Sequence, residues 1–147
     1  MVAFSPNLHR DAILTEARHW IGTPFHHQAS TRGAGTDCLG LVRGIWRALY
    51  GVEPETVPAY APDWAEATGR ETLLEAARRN LVEVPRDSAL PGDVLLFRLK
   101  PNAPARHCAI LSGDGQMIHA WSGYAVAEVP YDPLWQRRLS YVFRFPE

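Results

Sequence analysis

The chain has 147 residues, of which 46% are hydrophobic and 21% charged, and its net charge is −1 at pH 7. This composition is typical of an ordered globular protein and excludes an intrinsically disordered chain, and the length predicts one domain over residues 1–147. The small net charge and the scattered arginines argue against nucleic acid as a partner. No run approaches the ~20 apolar residues of a membrane-spanning helix, so we expect no membrane insertion.

The first half of the chain is predicted to be helical. Apolar residues recur at three- and four-residue steps over residues 7–21, which predicts a first helix that stops at Gly22. Residues 25–36 are rich in glycine, serine, threonine and histidine and are predicted to form a surface loop. A second helix is predicted over residues 38–50, with Gly51 as its stop, because its apolar residues follow a 3.6-residue period.

The second half changes to strand-like patterns. A proline-containing irregular loop is predicted over residues 52–64 and a third helix over residues 71–80. Strands are predicted at 94–99, 106–111, 117–120, 124–129 and 140–145. Helices followed by antiparallel strands indicate an α+β fold, with N-terminal helices packed on a C-terminal antiparallel sheet.

The two cysteines of the chain are predicted to be free thiols. No framework of spaced cysteines occurs, as a disulfide-rich secreted domain would have. The N-terminus lacks the basic start and apolar core of a secretory signal peptide. We therefore expect synthesis in the cytoplasm without such a signal.

Cys38 is the first candidate catalytic residue. It follows Asp37, a residue type that caps helices, and it begins the predicted second helix. A helix N-terminus favours a thiolate and can lower a cysteine pKa from about 8.5 into the range of roughly 3.5–7.5. Cys38 is therefore predicted to be a nucleophile, whereas Cys108 lies mid-strand and is predicted to be a core residue.

Two histidines complete the candidate site. His107 and His119 lie on predicted strands joined by the turn sequence Ser112-Gly113-Asp114-Gly115, which would hold both rings on one sheet. A cysteine with two distant histidines is a candidate nucleophile with its base and the residue that orients the base. A zinc site that also uses Cys108 is the alternative. It is disfavoured because adjacent strand residues point to opposite faces and no C-x-x-C or H-E-x-x-H pattern occurs, so we expect no metal.

Five motifs occur in an order and spacing that resemble one family. They are Gly22-Thr23-Pro24-Phe25, Asp37-Cys38-Leu39-Gly40-Leu41-Val42, Pro91-Gly92-Asp93-Val94-Leu95-Leu96-Phe97, His107-Cys108-Ala109-Ile110 and Ile118-His119-Ala120. Together they resemble the NlpC-type peptidoglycan endopeptidases, and the resemblance extends over residues 15–145. Overall likeness favours the branch of phage cell wall peptidases, including those of phage-like gene transfer agents.

The resemblance implies a fold, an activity and a setting. It implies a papain-like NlpC-type fold and a cysteine peptidase without a cofactor, which cleaves peptidoglycan stem peptides, commonly between D-glutamyl and meso-diaminopimelyl residues. The roles it implies are Cys38 as nucleophile, His107 as general base and His119 as the residue that orients the base. It also implies incorporation into the tail of a phage-like particle, contact with tail proteins and action in the periplasm of the target cell.

Two residues depart from the family pattern. Phe25 stands where the family usually has tyrosine, so a hydroxyl beside the nucleophile is missing, and its donor role passes to His26 or His27 or is absent. Leu39 stands where the family usually has serine, which together with the aspartate often helps to bind the free amino end of the stem peptide. The predicted substrate-binding residues are Asp37, Phe25, His26, His27 and Trp121.

Two other functions remain open. The phenylalanine at position 25 is compatible with a tail or assembly component that kept the fold and lost efficient catalysis. Papain-like chemistry also serves acyltransferases and amidases, because a fold and a triad do not specify the acyl acceptor. Trp64, Trp121 and Trp135 come from loop or strand-end contexts and are predicted to line a groove for a sugar or peptide.

Overall fold

A computed structural model describes residues 6–60, 68–113 and 115–147. The N-terminal elements are α1 (Pro6–His19), β1 (Ser30–Thr31), β2 (Gly35–Thr36), α2 (Cys38–Tyr50) and α3 (Thr72–Asn80). The C-terminal elements are β3 (Val82–Val84), a 3-10 helix (Arg86–Ser88), β4 (Val94–Phe97), β5 (His107–Ser112), β6 (Gln116–His119), β7 (Ala127–Pro130), α4 (Pro133–Arg138) and β8 (Leu139–Arg144).

Six of the strands form one antiparallel sheet in the order β3-β8-β4-β5-β6-β7. β5 and β6 are consecutive in the sequence and in the sheet, with Ile110 opposite Ile118. The short strands β1 and β2 pair separately with each other. The predicted α+β class, with N-terminal helices and a C-terminal antiparallel sheet, is confirmed.

The sheet is covered on both faces. One face packs against α1, α2 and α3 through a core that includes Ile13, Trp20, Leu41, Ile45, Leu73, Val94, Leu96, Cys108, Ile110 and Phe143. The other face carries a smaller core of Leu95, Phe97, Ala109, Leu111, Met117 and Val142, against which Tyr131 and Trp135 pack. Side chains alternate between the two faces along β5, so Cys108 faces the helices and the neighbouring Ala109 faces away from them.

Several element boundaries differ from the predictions. α1 ends at His19 instead of residue 21, because a turn follows in which the N–H of Gly22 donates to the carbonyl of Val126 at 2.8 Å. The strand predicted over residues 124–129 begins only at Ala127, since the chain first turns, with the N–H of Tyr124 donating to the carbonyl of residue 121 at 2.9 Å.

Other elements were shorter than predicted or were missed. β4 ends at Phe97 instead of residue 99, next to an irregularity in its pairing with β8. The predicted loop over residues 25–36 contains the β1-β2 hairpin, and β3 and α4 were not predicted. Trp64 of the predicted groove and Asp114 of the predicted turn lie outside the described residues.

Candidate active site

Cys38 is the first residue of α2, and Asp37 caps that helix. The Oδ1 atom of Asp37 accepts a hydrogen bond from the N–H of Gly40 at 2.7 Å, and its Oδ2 atom accepts one from the N–H of Gln28 at 2.8 Å. The first N–H groups of a helix have no partner within the helix and carry partial positive charge. The Cys38 thiol therefore lies at the end of α2 that stabilises an anion.

The loop before α2 packs closely on its first turn because residue 40 is glycine. A Cβ atom at Gly40 would lie 2.0 Å from the carbonyl oxygen of Ala29, a distance that no side chain tolerates. The Ser30 hydroxyl donates to the carbonyl of Gly40 at 2.6 Å. This close approach holds residues 25–36 beside the nucleophile.

The environment of Cys38 favours its thiolate. The pKa of Cys38 lies well below its usual range, mainly because its sulfur contacts the Cys108 thiol. Burial raises this pKa, and the His107 ring lowers it further. The pKa of Cys108 is raised well above its usual range by Cys38 and by burial, so Cys108 keeps its proton. Cys108 Sγ also donates to the carbonyl of Cys38 at 3.3 Å. Cys108 is thus a buried core residue that also touches the candidate nucleophile, a contact that sequence analysis did not predict.

His107 and His119 are joined by a hydrogen bond between their rings. The Nε2 atom of His107 lies 2.9 Å from the Nδ1 atom of His119, which leaves the other nitrogen of His107 for Cys38. Burial first, and then the charge of His107, lower the pKa of His119 to about 3. The Nδ1 atom of a neutral His119 accepts a hydrogen bond from the Nε2–H group of His107, so the arrangement sets the tautomer of His107 without a second charge.

Two tryptophan rings enclose this histidine pair. The Trp121 ring lies 4.9 Å from the ring of His107 and 6.0 Å from that of His119, measured between centroids. The Trp135 ring, from α4, lies 5.4 Å and 5.5 Å from the same two rings. Aromatic contacts of this kind fix ring orientation and limit the access of water to the hydrogen bond.

A cavity of about 460 Å³ opens beside the Cys38 thiol. The residues that line it are Phe25, His27, Asp37, Cys38, Leu39, Tyr60, Leu73, Leu99, Arg106, His107, Ala120, Trp121 and Ser122. Four of the five predicted substrate-binding residues are therefore at the cavity wall. The fifth, His26, is exposed and is not part of the wall, and its Nδ1 atom lies 3.3 Å from the carbonyl oxygen of His27.

Several residues of this cavity, chief among them Tyr60, were not among the predicted site residues. Tyr60 lies in a segment without helix or strand, and no local pattern connects it to Cys38. Arg106 precedes a predicted site histidine, and that adjacency was the only signal available for it. Trp135 was predicted to line a groove, but its contact with the histidine pair was not predicted.

Among the residues of 6–60, 68–113 and 115–147, no group of three or more His, Cys, Asp or Glu side chains is arranged to hold a metal ion. No helix within the same ranges is long and apolar enough to cross a membrane.

The sequence model of the NlpC/P60 family matches residues 22–144, which is most of the chain and includes every residue of the candidate site. The chain belongs to the NlpC/P60 family. Its sequence is similar to tail tip assembly protein K of Escherichia phage lambda, with 31% identity over 128 residues, covering 86% of this chain and 59% of the phage protein. It is also similar to the gamma-DL-glutamyl hydrolase of Bacillus subtilis strain 168, with 26% identity over 138 residues, covering 90% of this chain and 29% of that protein.

The NlpC/P60 fold is also found among solved structures. The NlpC/p60 domain of peptidoglycan hydrolase SagA matches with a TM-score of 0.60 and 23% identity, covering 92% of this chain and 98% of that domain. This likeness concerns the fold alone. The chain spans less than two thirds of the length of the phage and Bacillus relatives, but nearly the whole of the SagA domain.

Proposed function

We propose that this NlpC/P60 chain is a cysteine endopeptidase that hydrolyses the peptide stems of bacterial peptidoglycan. The family consists of cysteine peptidases and hydrolases that act on peptidoglycan, and the proposal assigns that activity to Cys38, His107 and His119. The observation that carries it is the continuous contact from the Cys38 thiol to the His107 ring and on to His119, at the start of a helix.

The proposed reaction begins with a thiolate–imidazolium pair. Cys38 attacks the carbonyl carbon of the scissile amide, and the carbonyl oxygen becomes an oxyanion. His107 donates its proton to the leaving amine, which departs and leaves an acyl group on the Cys38 sulfur. His107 then removes a proton from water, and the resulting hydroxide attacks the carbonyl carbon of the thioester. The C–S bond breaks, the acid product leaves, and Cys38 departs as the thiolate, which restores the thiolate–imidazolium pair.

Two groups support this reaction without reacting. The N–H of Cys38, at the first turn of α2, is proposed to donate to the oxyanion. His119 is proposed to orient His107 through the ring-to-ring hydrogen bond of 2.9 Å. Because its own pKa is lowered to about 3, His119 remains neutral while His107 gains and loses its proton.

The proposed scissile bond joins D-glutamyl and diaminopimelyl residues. The similarity to a gamma-DL-glutamyl hydrolase supports a glutamyl bond as the target. Phe25, His27 and Trp121 are proposed to contact the stem peptide along the cavity, and exposed His26 to contact it from outside. Asp37 is proposed to attract the amino end by its charge, since both of its oxygens already accept hydrogen bonds from the protein.

A tail-like particle is the proposed setting of this activity. The similarity to the phage lambda tail tip assembly protein supports incorporation into a phage-like tail, contact with tail proteins and action in the periplasm of the target cell. We propose that residues 1–147 act there as one catalytic domain without a cofactor. Local opening of the cell wall would then let the tail reach the membrane.

The decisive experiment is mass spectrometry of defined muropeptides with diaminopimelate stems, incubated with the parent chain and with Cys38→Ala. We expect fragments cleaved after the D-glutamyl residue with the parent only, while Cys38→Ala stays folded. Cys108→Ser, the matched control, is expected to retain substantial activity, because its side chain is not the nucleophile and the serine hydroxyl still offers a donor beside the Cys38 sulfur. No fragments from a folded parent, or equal activity in Cys38→Ala, would contradict the proposal; the first result would favour the catalytically weak structural component suggested by Phe25.

A further inference from the structure

Tyr60 reaches the candidate active site from a segment remote from the motifs of the sequence. It lies between α2 and α3, and its side chain forms part of the cavity wall together with Cys38. Its phenol O–H donates a hydrogen bond to the Oδ2 atom of Asp37, the residue that caps the helix of the nucleophile. A phenol is thereby held beside Cys38, where Phe25 supplies only an apolar ring.

Three contacts hold Tyr60 in this position. The ring of His27 meets the Tyr60 ring edge-on, with 5.1 Å between centroids and an angle of 86°. The Nε2 atom of His27 lies 2.6 Å from the Tyr60 carbonyl oxygen, and the Gln28 side-chain amide donates to the same oxygen. Because Gln28 also donates its backbone N–H to Asp37, the loop before α2 joins Tyr60 and Asp37 directly.

The Tyr60 phenol binds one of the charged groups that affect the Cys38 thiolate. Asp37 precedes Cys38, so its negative charge disfavours the thiolate, and like charges raise the pKa of a neighbouring acid. From β5, His107 and Cys108 contact the sulfur and favour the thiolate. On the Asp37 side, the Tyr60 O–H binds Oδ2, and the His27 Nδ1 atom lies 3.9 Å from that same oxygen.

We propose that Tyr60 is a positioning residue of this active site, whose hydroxyl binds the Asp37 carboxylate, disperses its charge and so keeps Cys38 in its thiolate form. Burial and the Asp37 carboxylate raise the pKa of Tyr60 above its usual range, so the hydroxyl remains a donor at every pH at which the thiol titrates. The inference rests on the proposed role of Cys38 as the nucleophile and adds a residue that no motif of the sequence assigns.

The test is the pH dependence of Cys38 alkylation by iodoacetamide in Tyr60→Phe, followed by mass spectrometry of the labelled peptide. The phenylalanine keeps the ring contact with His27 and removes only the hydroxyl. We expect the midpoint of the alkylation profile to rise by about 0.5–1 pH unit, which reduces the rate at the midpoint of the parent roughly two- to fivefold. Tyr50→Phe is the matched control, because the Tyr50 hydroxyl donates to the carbonyl of Pro146 instead of to the site.

The outcomes separate this inference from the proposed function. An alkylation midpoint near that of an ordinary thiol in the parent chain would contradict the activated nucleophile itself. If the parent has a low midpoint and folded Tyr60→Phe has the same midpoint or a lower one, the role of Tyr60 is overturned. The proposal that Cys38 is an activated nucleophile would then still stand. If Tyr60→Phe fails to fold, His27→Phe is the second variant. It removes the contact between the His27 Nε2 atom and the Tyr60 carbonyl oxygen, and so loosens the position of Tyr60 beside Asp37. We expect a smaller rise of the midpoint in that variant, and an unchanged midpoint would overturn the inference.

Discussion

His119 shows how the environment of a residue selects its chemical role. The residue is 7% exposed, its ring packs against the Trp121 and Trp135 rings, and its Nδ1 atom lies 2.9 Å from the Nε2 atom of His107. Burial disfavours the charged imidazolium, so the pKa of His119 is lowered to about 3. The residue therefore accepts a hydrogen bond and does not titrate near neutral pH.

Replacement of His119 by asparagine should reduce the acid sensitivity of the fold. In the unfolded chain a histidine has a pKa of about 6.5, so between about pH 6.5 and 3 the unfolded state binds more protons at this site than the native state. Stability contributed by the neutral ring is thus lost as the pH falls through that window. We expect the free energy of unfolding, measured with urea, to fall between pH 7 and pH 4 by about 3 kcal/mol less in His119→Asn than in the parent. Equal losses would contradict this, and His19→Asn on the surface is the control.

At the level of secondary-structure elements, Gly44 lets the start of the loop after α1 approach α2 closely. Gly44 of α2 is buried, and a Cβ atom there would lie 2.0 Å from the ring of Trp20, the residue that directly follows α1. The indole of Trp20 is fixed by its N–H, which donates to Glu16 at 3.2 Å. The contact lets α2, which carries Cys38 at its start, pack directly on α1.

Gly44→Ala should therefore destabilise the protein, although alanine is the better helix former. Helix propensity alone favours alanine by about 1 kcal/mol, whereas overpacking a core typically costs about 1–3 kcal/mol. We expect a net loss of about 1–2 kcal/mol in the free energy of unfolding, measured by urea denaturation. Gly113→Ala is the control, since no atom lies within 4 Å of its Cβ position. A more stable Gly44→Ala variant would show that the helices separate without cost.

The elements that sequence analysis missed were short. α4 has clear start signals, since the Asp132 side chain accepts from the N–H of Trp135 at 3.1 Å and a proline follows the cap. Its six residues, however, are too few to show helical periodicity. β3 has three residues, and its pairing partner β8 lies about 60 positions further along the chain, as in Val82 opposite Arg144. No local pattern encodes such a pairing.

At the scale of the whole molecule, Asp93 joins three distant segments. Its carboxylate is fully buried and accepts two hydrogen bonds from the Arg144 guanidinium of β8, each 2.9 Å long. Arg10 of α1 donates to it at 3.3 Å, and the N–H of Leu90 donates at 2.9 Å. The residues Pro91-Gly92-Asp93, which open the third of the five motifs, thus form an ionic junction between α1 and the sheet.

Loss of this junction should cost far more than loss of a surface ion pair. Asp93→Ala leaves two arginines without their buried partner, and breaking a buried pair from one side costs about 3–5 kcal/mol. Because both guanidinium groups are partly exposed, we expect a loss of about 3 kcal/mol in the free energy of unfolding by urea. Glu83→Ala, which removes the exposed pair with Arg78, is expected to cost less than about 1 kcal/mol. Similar costs for the two variants would refute the junction.

Apolar periodicity, capping residues and motif spacing are local signals. From them the amino-acid sequence predicted the α+β class, the start of α2 at Cys38 and the hairpin that carries both histidines. Three contacts of the site are seen in the folded chain and were not predicted: Cys108 touches the Cys38 sulfur, Tyr60 binds Asp37, and Trp135 packs on the histidine pair. These contacts join segments that are far apart in the chain. Their energy comes from burial and hydrogen bonding between surfaces that meet only after the sheet and helices have packed, so no local pattern specifies them.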